Sequence, residues 1–258
     1  MSDEQQVLVE TTGGICTITL NRPDKKNAFS VRMYEQCVAA LKAASADAAV
    51  RVVLFTGAGG TFTAGNDLAD FKKVTSFTED NAAVQLLLTL VDFEKPVVAA
   101  VNGVAVGVGV TMLLHCDLVY LADDAKLLAP FVSLGLVPEA ASSMLLPRIA
   151  GMAKASEILL LAEPFDAATA VSAGLASRVI PAAELLAFAR KKAQRLAELP
   201  AAALRASKKL LRDPIKAQVR EVLFAEGAVF GERLRSAEAK EALDAFFEKR
   251  KPDFSRFA

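Results

Sequence analysis

The chain is poor in side chains that stack on nucleobases and has no excess of either charge. Among its 258 residues there is no tryptophan and there are two tyrosines, which leaves few platforms for base stacking. Lysine and arginine together number 30, as do aspartate and glutamate, so the net charge is zero. Because binding to a phosphate backbone depends on an excess of positive charge, we expect no nucleic-acid partner.

Cysteine and histidine are also scarce. The three cysteines, Cys16, Cys37 and Cys116, form no CxxC pair and no spacing typical of a metal site. They are predicted to be small buried residues of a protein from a reducing compartment. His115 is the one histidine and lies in an apolar segment, which favours a structural role over a metal site or a catalytic triad. We therefore expect no bound metal.

The chain shows no segment typical of secretion or of a membrane span. Its first six residues are polar, unlike a signal peptide, and its last three are not the peroxisomal Ser-Lys-Leu signal. A cytoplasmic location is therefore expected. The most apolar stretch, residues 97–114, is interrupted by Asn102-Gly103 and by two later glycines. We predict a strand, a turn and a buried helix there, and no membrane contact.

Apolar residues, in contrast, are abundant. They make up 53% of the chain, and the mean hydropathy is +0.34. A monomer of this size would hide so much apolar surface with difficulty, and so we expect subunit interfaces.

Strand and helix patterns alternate from residue 50 to about residue 180, which predicts an α/β core. A hairpin is predicted around Gly13-Gly14, and Ser30 is predicted to cap the helix that follows it. Further strands are predicted over residues 50–56, 97–101 and 118–122, and further helices over residues 80–92, 106–115, 182–196, 201–211, 215–230 and 237–249. We divide the chain into a core of residues 1–195 and a C-terminal helical oligomerisation region of residues 196–258.

Two glycine-containing segments, residues 62–68 and 102–109, bring free backbone N–H groups near the start of a helix. The first N–H groups of a helix have no intrahelical partner and can bind an oxyanion or a phosphate. The alternative is that the glycines only allow tight packing. A dinucleotide site is not expected at residues 57–62, because Phe62 occupies the place of the third glycine of that motif.

Glu139 is a lone acid ahead of an apolar segment. It follows Pro138, and proline favours the first turn of a helix. A carboxylate there would lie over the positive end of the helix dipole, at the mouth of a buried helix. Burial would raise its pKa and the helix N-terminus would lower it. The alternative is a surface glutamate that complements the helix dipole.

Several motifs in this order resemble the crotonase superfamily, the enoyl-CoA hydratase/isomerase family. They are Leu20-Asn21-Arg22-Pro23 with Asn27-Ala28, residues 62–68, residues 95–103, Cys116-Asp117 and Gly174-Leu175. The resemblance implies an α/β spiral of strand-strand-helix units with a C-terminal helical trimerisation region. It also implies a homotrimer or hexamer and an acyl-CoA thioester substrate. No separate cofactor is implied, because coenzyme A is part of the substrate.

The resemblance also assigns catalytic roles. It places the two N–H groups of the family's oxyanion hole at Ala64 and Val108. Hydratases of the family use two glutamates, and these positions hold Thr111 and Phe131 here. Glu139 instead resembles the single catalytic glutamate of delta-3,delta-2-enoyl-CoA isomerases. The resemblance thus implies a shift of the double bond from 3-enoyl-CoA to 2-enoyl-CoA in fatty-acid metabolism.

The remaining predicted site residues bind substrate. They are Lys26, Ala28, Ala64, Gly65, Asn66, Asp67, Leu68, Thr111 and Phe131. Lys25 and Lys26 are predicted either to meet the phosphates of coenzyme A or to be solvated loop charges. Three other functions stay open: a hydratase-like reaction, another crotonase reaction such as thioester hydrolysis, dehalogenation or decarboxylation, and a non-catalytic acyl-CoA-binding subunit.

Overall fold

The computed structural model describes residues 5–71 and 78–257 as a mixed α/β structure. The strands are β1 (Val7–Thr12), β2 (Ile15–Leu20), β3 (Val52–Gly57), β4 (Val97–Val101), β5 (Val104–Val106), β6 (Leu118–Ala122), β7 (Lys126–Leu128), β8 (Phe165–Asp166) and β9 (Arg178–Ile180). The helices are α1 (Val31–Ala46), α2 (Leu68–Phe71), α3 (Ala82–Asp92), α4 (Val108–Thr111), α5 (Ser142–Ala150), α6 (Met152–Leu160), α7 (Ala167–Ser172), α8 (Leu185–Glu198), α9 (Ala201–Leu234) and α10 (Ala237–Phe247).

The strands form two sheets. The larger has the order β1-β2-β3-β4-β6-β9 and the smaller has the order β5-β7-β8. β1 and β2 form the predicted antiparallel hairpin, and the other neighbours in the larger sheet are parallel. In β4-β5-α4, and again in β6-β7-α5, the first strand joins the larger sheet and the second joins the smaller one. This alternation is the predicted strand-strand-helix unit.

The central strands consist of almost uninterrupted apolar residues because both of their faces are buried. Every residue of β4 is fully buried, and β3 is buried along all but its last residue. α8 packs against β3 and β4, while α1 packs against β1 and β2. Parallel strands covered by helices need apolar side chains on both faces. Ser30 caps α1 as predicted, because its side chain accepts a hydrogen bond from the N–H of Met33 at 3.1 Å.

The apolar stretch at residues 97–114 is a strand, a turn, a strand and a helix. β4 ends before Asn102-Gly103, β5 follows, and Gly107 precedes α4. The predicted helix at 106–115 is shorter than expected, since α4 passes at Met112 into a 3-10 turn that ends at His115. Among the residues that the structure describes, no helix is long and apolar enough to cross a membrane.

The C-terminal region differs from the prediction at one point. Helices were predicted over 201–211 and 215–230, but α9 is continuous through Pro214. Proline removes one helical hydrogen bond. Ion pairs to other parts of the chain fix α9 on both sides of this position, which offsets the loss. The pairs are Lys208 and Arg212 with Asp117, and Lys216 and Arg220 with Asp92.

Candidate active site

A cavity of about 660 Å³ lies where the two glycine-containing segments meet the C-terminal helices. Eight of the nine predicted substrate-binding residues line it: Lys26, Ala28, Ala64, Gly65, Asn66, Asp67, Leu68 and Phe131. The ninth, Thr111, is buried in α4 behind the cavity wall and contacts Glu139. The structure therefore brings the predicted residues together in one place, although they come from four separate stretches of sequence.

The two glycine-containing segments touch closely. The N–H of Thr63 donates to the carbonyl of Val104 at 3.0 Å, and the N–H of Val106 donates to the carbonyl of Thr63 at 3.0 Å. Gly65 has a φ of +87°, and a Cβ there would lie 2.8 Å from the carbonyl oxygen of Val106. Glycine is required at this position by both its backbone conformation and the close approach.

The prediction that Ala64 supplies an oxyanion-hole N–H is wrong. Its N–H donates to the carbonyl oxygen of Lys26 at 2.9 Å, so it is already used inside the protein. The N–H of Asn66, two residues further on, has no acceptor within residues 5–71 and 78–257. Asn66 also lines the cavity. Asn66 therefore replaces Ala64 as the candidate donor in this segment.

Val108 remains the candidate donor in the second segment. It is the first residue of α4 and follows Gly107, whose φ of +56° turns the chain from β5 into the helix. In the described part of the chain its N–H has no acceptor, as expected for the first turn of a helix. Within the described residues, the N–H groups of Asn66 and Val108 are thus two unused donors. Asn66 lines the cavity, whereas Val108 and Glu139 are not among its lining residues.

Glu139 does not occupy the position that the sequence predicts. Pro138 and Glu139 lie before α5, which begins at Ser142, so proline is not in its first turn. The N-terminus of α5 is bound by another carboxylate, that of Glu226 from α9. The Glu139 carboxylate instead turns towards α4 and accepts a hydrogen bond from the hydroxyl of Thr111.

Burial changes the pKa of Glu139 more than the hydrogen bond that favours its charged form. Desolvation raises the pKa of Glu139 from 4.5 to about 7, against the hydrogen bond from Thr111, and the charge of Glu226 adds to the increase. Thr111 lies one helical turn after Val108 in α4, on the same face of the helix. The Glu139 carboxylate, which is bonded to Thr111, therefore lies beside the face of α4 that begins with the free N–H of Val108. A base that titrates near neutral pH is therefore fixed beside α4, the helix that begins with the free N–H of Val108.

Tyr34 connects this carboxylate to the first segment. Its hydroxyl donates to the side-chain oxygen of Asn66 at 2.6 Å. Burial and the nearby charge of Glu139 raise the pKa of Tyr34, so the phenol stays protonated. The Asn66 side chain is thereby held. Its backbone is held by the bonds on either side of it, from the N–H of Phe29 to the carbonyl of Gly65 at 2.7 Å and from the N–H of Asp67 to the carbonyl of Phe29 at 2.9 Å.

The turn after Glu139 has an unfavourable backbone conformation. Ala140 and Ala141 have φ values of +63° and +58°, although neither is glycine. A left-handed conformation costs roughly 1 kcal/mol at each such residue. The N–H of Ala141 donates to Glu226 at 2.6 Å, and the Nε2 of His115 lies 2.9 Å from the carbonyl oxygen of Ala140. These contacts hold the turn in place.

Asp67 and the two lysines have different surroundings. Both terminal nitrogens of Arg22 lie 3.2 Å from one carboxylate oxygen of Asp67, and Arg22 also donates to the carbonyl of Ala28 at 2.6 Å. Asp67 is thus bound within the protein, and its ion pair shapes the cavity wall. Lys25 and Lys26 are exposed at the cavity, where they are free to meet an anionic group.

The far side of the cavity is apolar. Phe131 is buried and packs edge-to-face on Phe230 of α9, with 6.5 Å between ring centroids. Phe246 and Phe247 of α10 complete this wall. No carboxylate stands at position 111 or 131, and Asp67, already paired, is the one carboxylate among the described residues that line the cavity.

Sequence reasoning missed four residues that shape the site: Arg22, Tyr34, His115 and Glu226. Arg22 was noted only as part of a motif, and His115 only as a structural residue. Tyr34 lies in the helix predicted after Ser30 and was not singled out. Glu226 interrupts the apolar stripe of α9, and a charged residue at a buried position signals a specific partner. That partner lies 83 to 85 residues away, which periodicity cannot reveal.

No group of three or more His, Cys, Asp or Glu side chains within the described ranges is arranged to hold a metal ion. A second cavity, of about 570 Å³, lies between the end of α3 and α9. It contains none of the predicted site residues. Several of its charged side chains are paired with each other, since Asp92 forms ion pairs with Lys216 and Arg220.

The raised pKa of Glu139 has a consequence for stability. Its folded-state pKa of about 7 exceeds the ordinary 4.5, so unfolding releases a proton at intermediate pH, and stability falls as pH rises from 4.5 to 7. We expect Glu139→Gln to raise the free energy of unfolding at pH 8 by about 2 kcal/mol. At pH 4.5 the two proteins should be almost equally stable. Urea unfolding at both pH values measures this, and an equal difference at both would contradict it.

The chain is similar to known proteins over nearly its whole length. The family model described as Enoyl-CoA hydratase/isomerase matches residues 10–256. Enoyl-CoA delta isomerase 2 of Rattus norvegicus is 38% identical over 256 residues, 97% of this chain, and the chain spans 65% of that protein's length. The 2,3-dehydroadipyl-CoA hydratase of Escherichia coli (strain K12) is 34% identical over 250 residues, which cover 96% of this chain and 98% of that protein.

The fold has close relatives among solved structures. The crystal structure of an enoyl-CoA hydratase/isomerase from Pseudoalteromonas atlantica T6c matches with a TM-score of 0.92 and 42% identity, covering 97% of this chain and 100% of that one. The match supports the crotonase fold predicted from the motifs. The extent of the family match and the similarity of the relatives lead to one conclusion: the chain belongs to the enoyl-CoA hydratase/isomerase family.

Proposed function

We propose that this enzyme moves the double bond of a 3-enoyl-CoA to give the conjugated 2-enoyl-CoA. One observation carries the proposal: a single carboxylate, Glu139, has a pKa of about 7 and accepts a hydrogen bond from Thr111 of α4, the helix whose first residue, Val108, has an unused N–H. An allylic shift needs one base that takes a proton and returns it at a different carbon. It also needs donors that stabilise the charge formed in between.

The proposed reaction has two proton transfers. Ionised Glu139 takes a proton from the α carbon, and the electron pair moves to the thioester oxygen. The N–H groups of Asn66 and Val108 stabilise that oxyanion. The electrons then return through the chain, and Glu139 delivers its proton to the γ carbon. No atom is gained or lost, and the thioester stays intact.

The same residues argue against hydration. Adding water requires one group to activate the water and another to supply the proton. Thr111 and Phe131 stand where the resemblance implies the two hydratase glutamates, and neither is an acid. Thr111 instead donates to Glu139, and Phe131 forms part of the apolar wall. Asp67 is held by Arg22. These observations favour a mechanism with one base.

The cavity also fits the two ends of an acyl-CoA. Lys25 and Lys26 are exposed at the side formed by the first loop, where their charges suit the phosphates of coenzyme A. The wall formed by Phe131, Phe230 and α10 suits an acyl chain. This arrangement supports a thioester with an apolar acyl group as the substrate.

A homotrimer or a hexamer is proposed as the assembly. Leu210 and Leu211 of α9 are 77% and 79% exposed, and large apolar side chains in this position favour a subunit contact. They lie in the region that the family resemblance assigns to trimerisation.

The proposed function is tested by incubating the protein with a trans-3-enoyl-CoA. The absorbance of the conjugated thioester follows the reaction, mass spectrometry of the product gives its composition, and a thiol reagent detects free coenzyme A. We expect 2-enoyl-CoA to appear at unchanged mass with no thiol released. A gain of one water would indicate a hydratase, and released thiol would indicate a hydrolase. Binding without any reaction would indicate a non-catalytic role.

The pH profile gives a second test. Because the base acts when ionised, kcat/KM is expected to rise with pH through an apparent pKa near 7. Thr111→Val removes the hydrogen bond that favours the ionised form, so the acid limb should move to higher pH. Thr89→Val serves as the control, since the Thr89 hydroxyl bonds the carbonyl of Gln85 within α3. An unchanged limb in Thr111→Val would contradict this prediction.

A further inference from the structure

The turn that carries Glu139 is held by two titratable groups that do not face the substrate cavity. Glu226 of α9 uses both carboxylate oxygens, which accept from the N–H of Ala141 at 2.6 Å and from the N–H of Ser143 at 2.8 Å. From another direction, His115 at the end of the 3-10 turn after α4 contacts the carbonyl of Ala140 at 2.9 Å. The peptide group between Ala140 and Ala141 is therefore bound on both sides by distant side chains, its carbonyl by His115 and its N–H by Glu226.

A buried carboxylate at the start of α5 is not needed to form the helix. Helices are usually capped by a nearby side chain, and the α5 cap position holds Ala141, which offers none. Glu226 is 8% exposed, and burying a carboxylate is unfavourable unless it is fully bonded. An apolar residue would pack there at lower cost. The carboxylate at this position is explained by the turn that it binds, whose left-handed alanines would otherwise relax.

We propose that Glu226 and His115 are positioning residues for Glu139. They hold the turn that follows Glu139, so that its carboxylate faces α4 and the two free N–H groups. The proposal rests on the proposed function, because the geometry that they hold is the one the isomerisation needs. Both residues act on the turn through its backbone groups and neither lines the cavity, so they are positioning residues.

Glu226 also affects the pKa of Glu139 through its charge, together with the other groups near that carboxylate. Thr111 donates to the carboxylate, and Tyr34 stays protonated near it. Burial lowers the pKa of His115 to about 4, against its hydrogen bond to Ala140, with the charge of Arg212 lowering it further, so it is neutral at pH 7. It then donates from Nε2 to the carbonyl. Burial is the main cause of the raised pKa of Glu139, and the negative charge of Glu226 adds to the increase. Burial also raises the pKa of Glu226 itself, against its hydrogen bonds from Ser143 and Ala141.

The first test is Glu226→Gln, which keeps the shape but loses the charge and one of the two acceptors. We expect kcat to fall by about ten- to a hundredfold, because a displaced base reacts slowly. The Kd for a saturated acyl-CoA should stay unchanged, because the cavity wall is intact. The acid limb of kcat/KM should move to lower pH, because the repelling charge is gone. A residue that only stabilises the fold would not move that limb.

Two further sets of variants keep the proposal testable if Glu226→Gln fails to fold. His115→Gln retains a donor near the Nε2 position and should keep most of kcat, whereas His115→Leu lacks the donor and should lose it. Ser142→Ala is the matched control at the same helix start. The Ser142 hydroxyl is buried and is without a hydrogen-bond partner in the described part of the chain, so its removal should leave kcat and the pH profile unchanged.

A titration that does not depend on turnover separates this proposal from the proposed function. In protein labelled with carbon-13 at the glutamate carboxyls, the signal absent from Glu139→Gln identifies Glu139. Its midpoint should fall in Glu226→Gln. If the wild type did not isomerise, the proposed function would fail while this shift could still be observed. Folded Glu226→Gln with the wild-type midpoint and kcat would overturn the proposal, as would equal kcat in the two His115 variants.

Discussion

Glu139→Gln is expected to lower kcat for the isomerisation of a 3-enoyl-CoA by about a thousandfold or more. Glutamine has nearly the same shape and can still accept the hydrogen bond from Thr111. It cannot take a proton, however, and the one carboxylate among the described residues that line the cavity, that of Asp67, is paired with Arg22. The rate of appearance of the conjugated thioester measures the effect.

Binding provides the internal control for this variant. The Kd of a saturated acyl-CoA should be close to that of the wild type, because the two N–H donors and the apolar wall are unchanged. Glu157→Gln is the matched substitution, since Glu157 lies on the exposed side of α6 and pairs with Lys154. It should retain full activity. Near-normal turnover by Glu139→Gln would rule out Glu139 as the base.

Gly65→Ala is expected to lower kcat/KM by about a hundredfold or more through loss of the oxyanion hole. A Cβ at this position would lie 2.8 Å from the Val106 carbonyl oxygen, and φ is +87°. The methyl group would push the two segments apart. The two proposed donors, the N–H groups of Asn66 and Val108, would then be too far apart to bind the same thioester oxygen. Steady-state kinetics and thermal unfolding should be measured together.

Gly60→Ala separates backbone strain from this collision. Gly60 also has a positive φ, +75°, but a Cβ there would meet nothing within 4 Å. We expect a loss of stability of roughly 1 kcal/mol from the left-handed conformation and little change in kcat/KM. If both variants lost activity to the same extent, the close approach of the segments would not be the cause.

The sequence was informative where the signal is local. The strands around residues 52–57 and 97–101 were predicted because β-branched residues follow one another without polar interruption. Ser30 was predicted as a cap from its place before the helix, and the family motifs placed an oxyanion-hole N–H at Val108. Each of these depends on a few neighbouring residues.

The same reasoning failed where distant segments compete for one group. Ala64 and Asn66 both lie beside Gly65, and nothing nearby shows which N–H is free. The carbonyl of Lys26, which comes from an earlier loop, takes the N–H of Ala64. Likewise, Pro214 suggested a break in α9, but ion pairs to Asp117 and Asp92 hold the helix on both sides of it.

The sequence by itself determined the α/β class, the C-terminal helices and the presence of a lone acid at Glu139, since periodicity and short motifs report on local structure. The tertiary structure decided which N–H groups are free and which carboxylate binds α5. It also decided that burial outweighs the favourable contacts of Glu139 and raises its pKa to about 7. These properties depend on solvent exclusion and on charges that arrive from segments far apart in the chain.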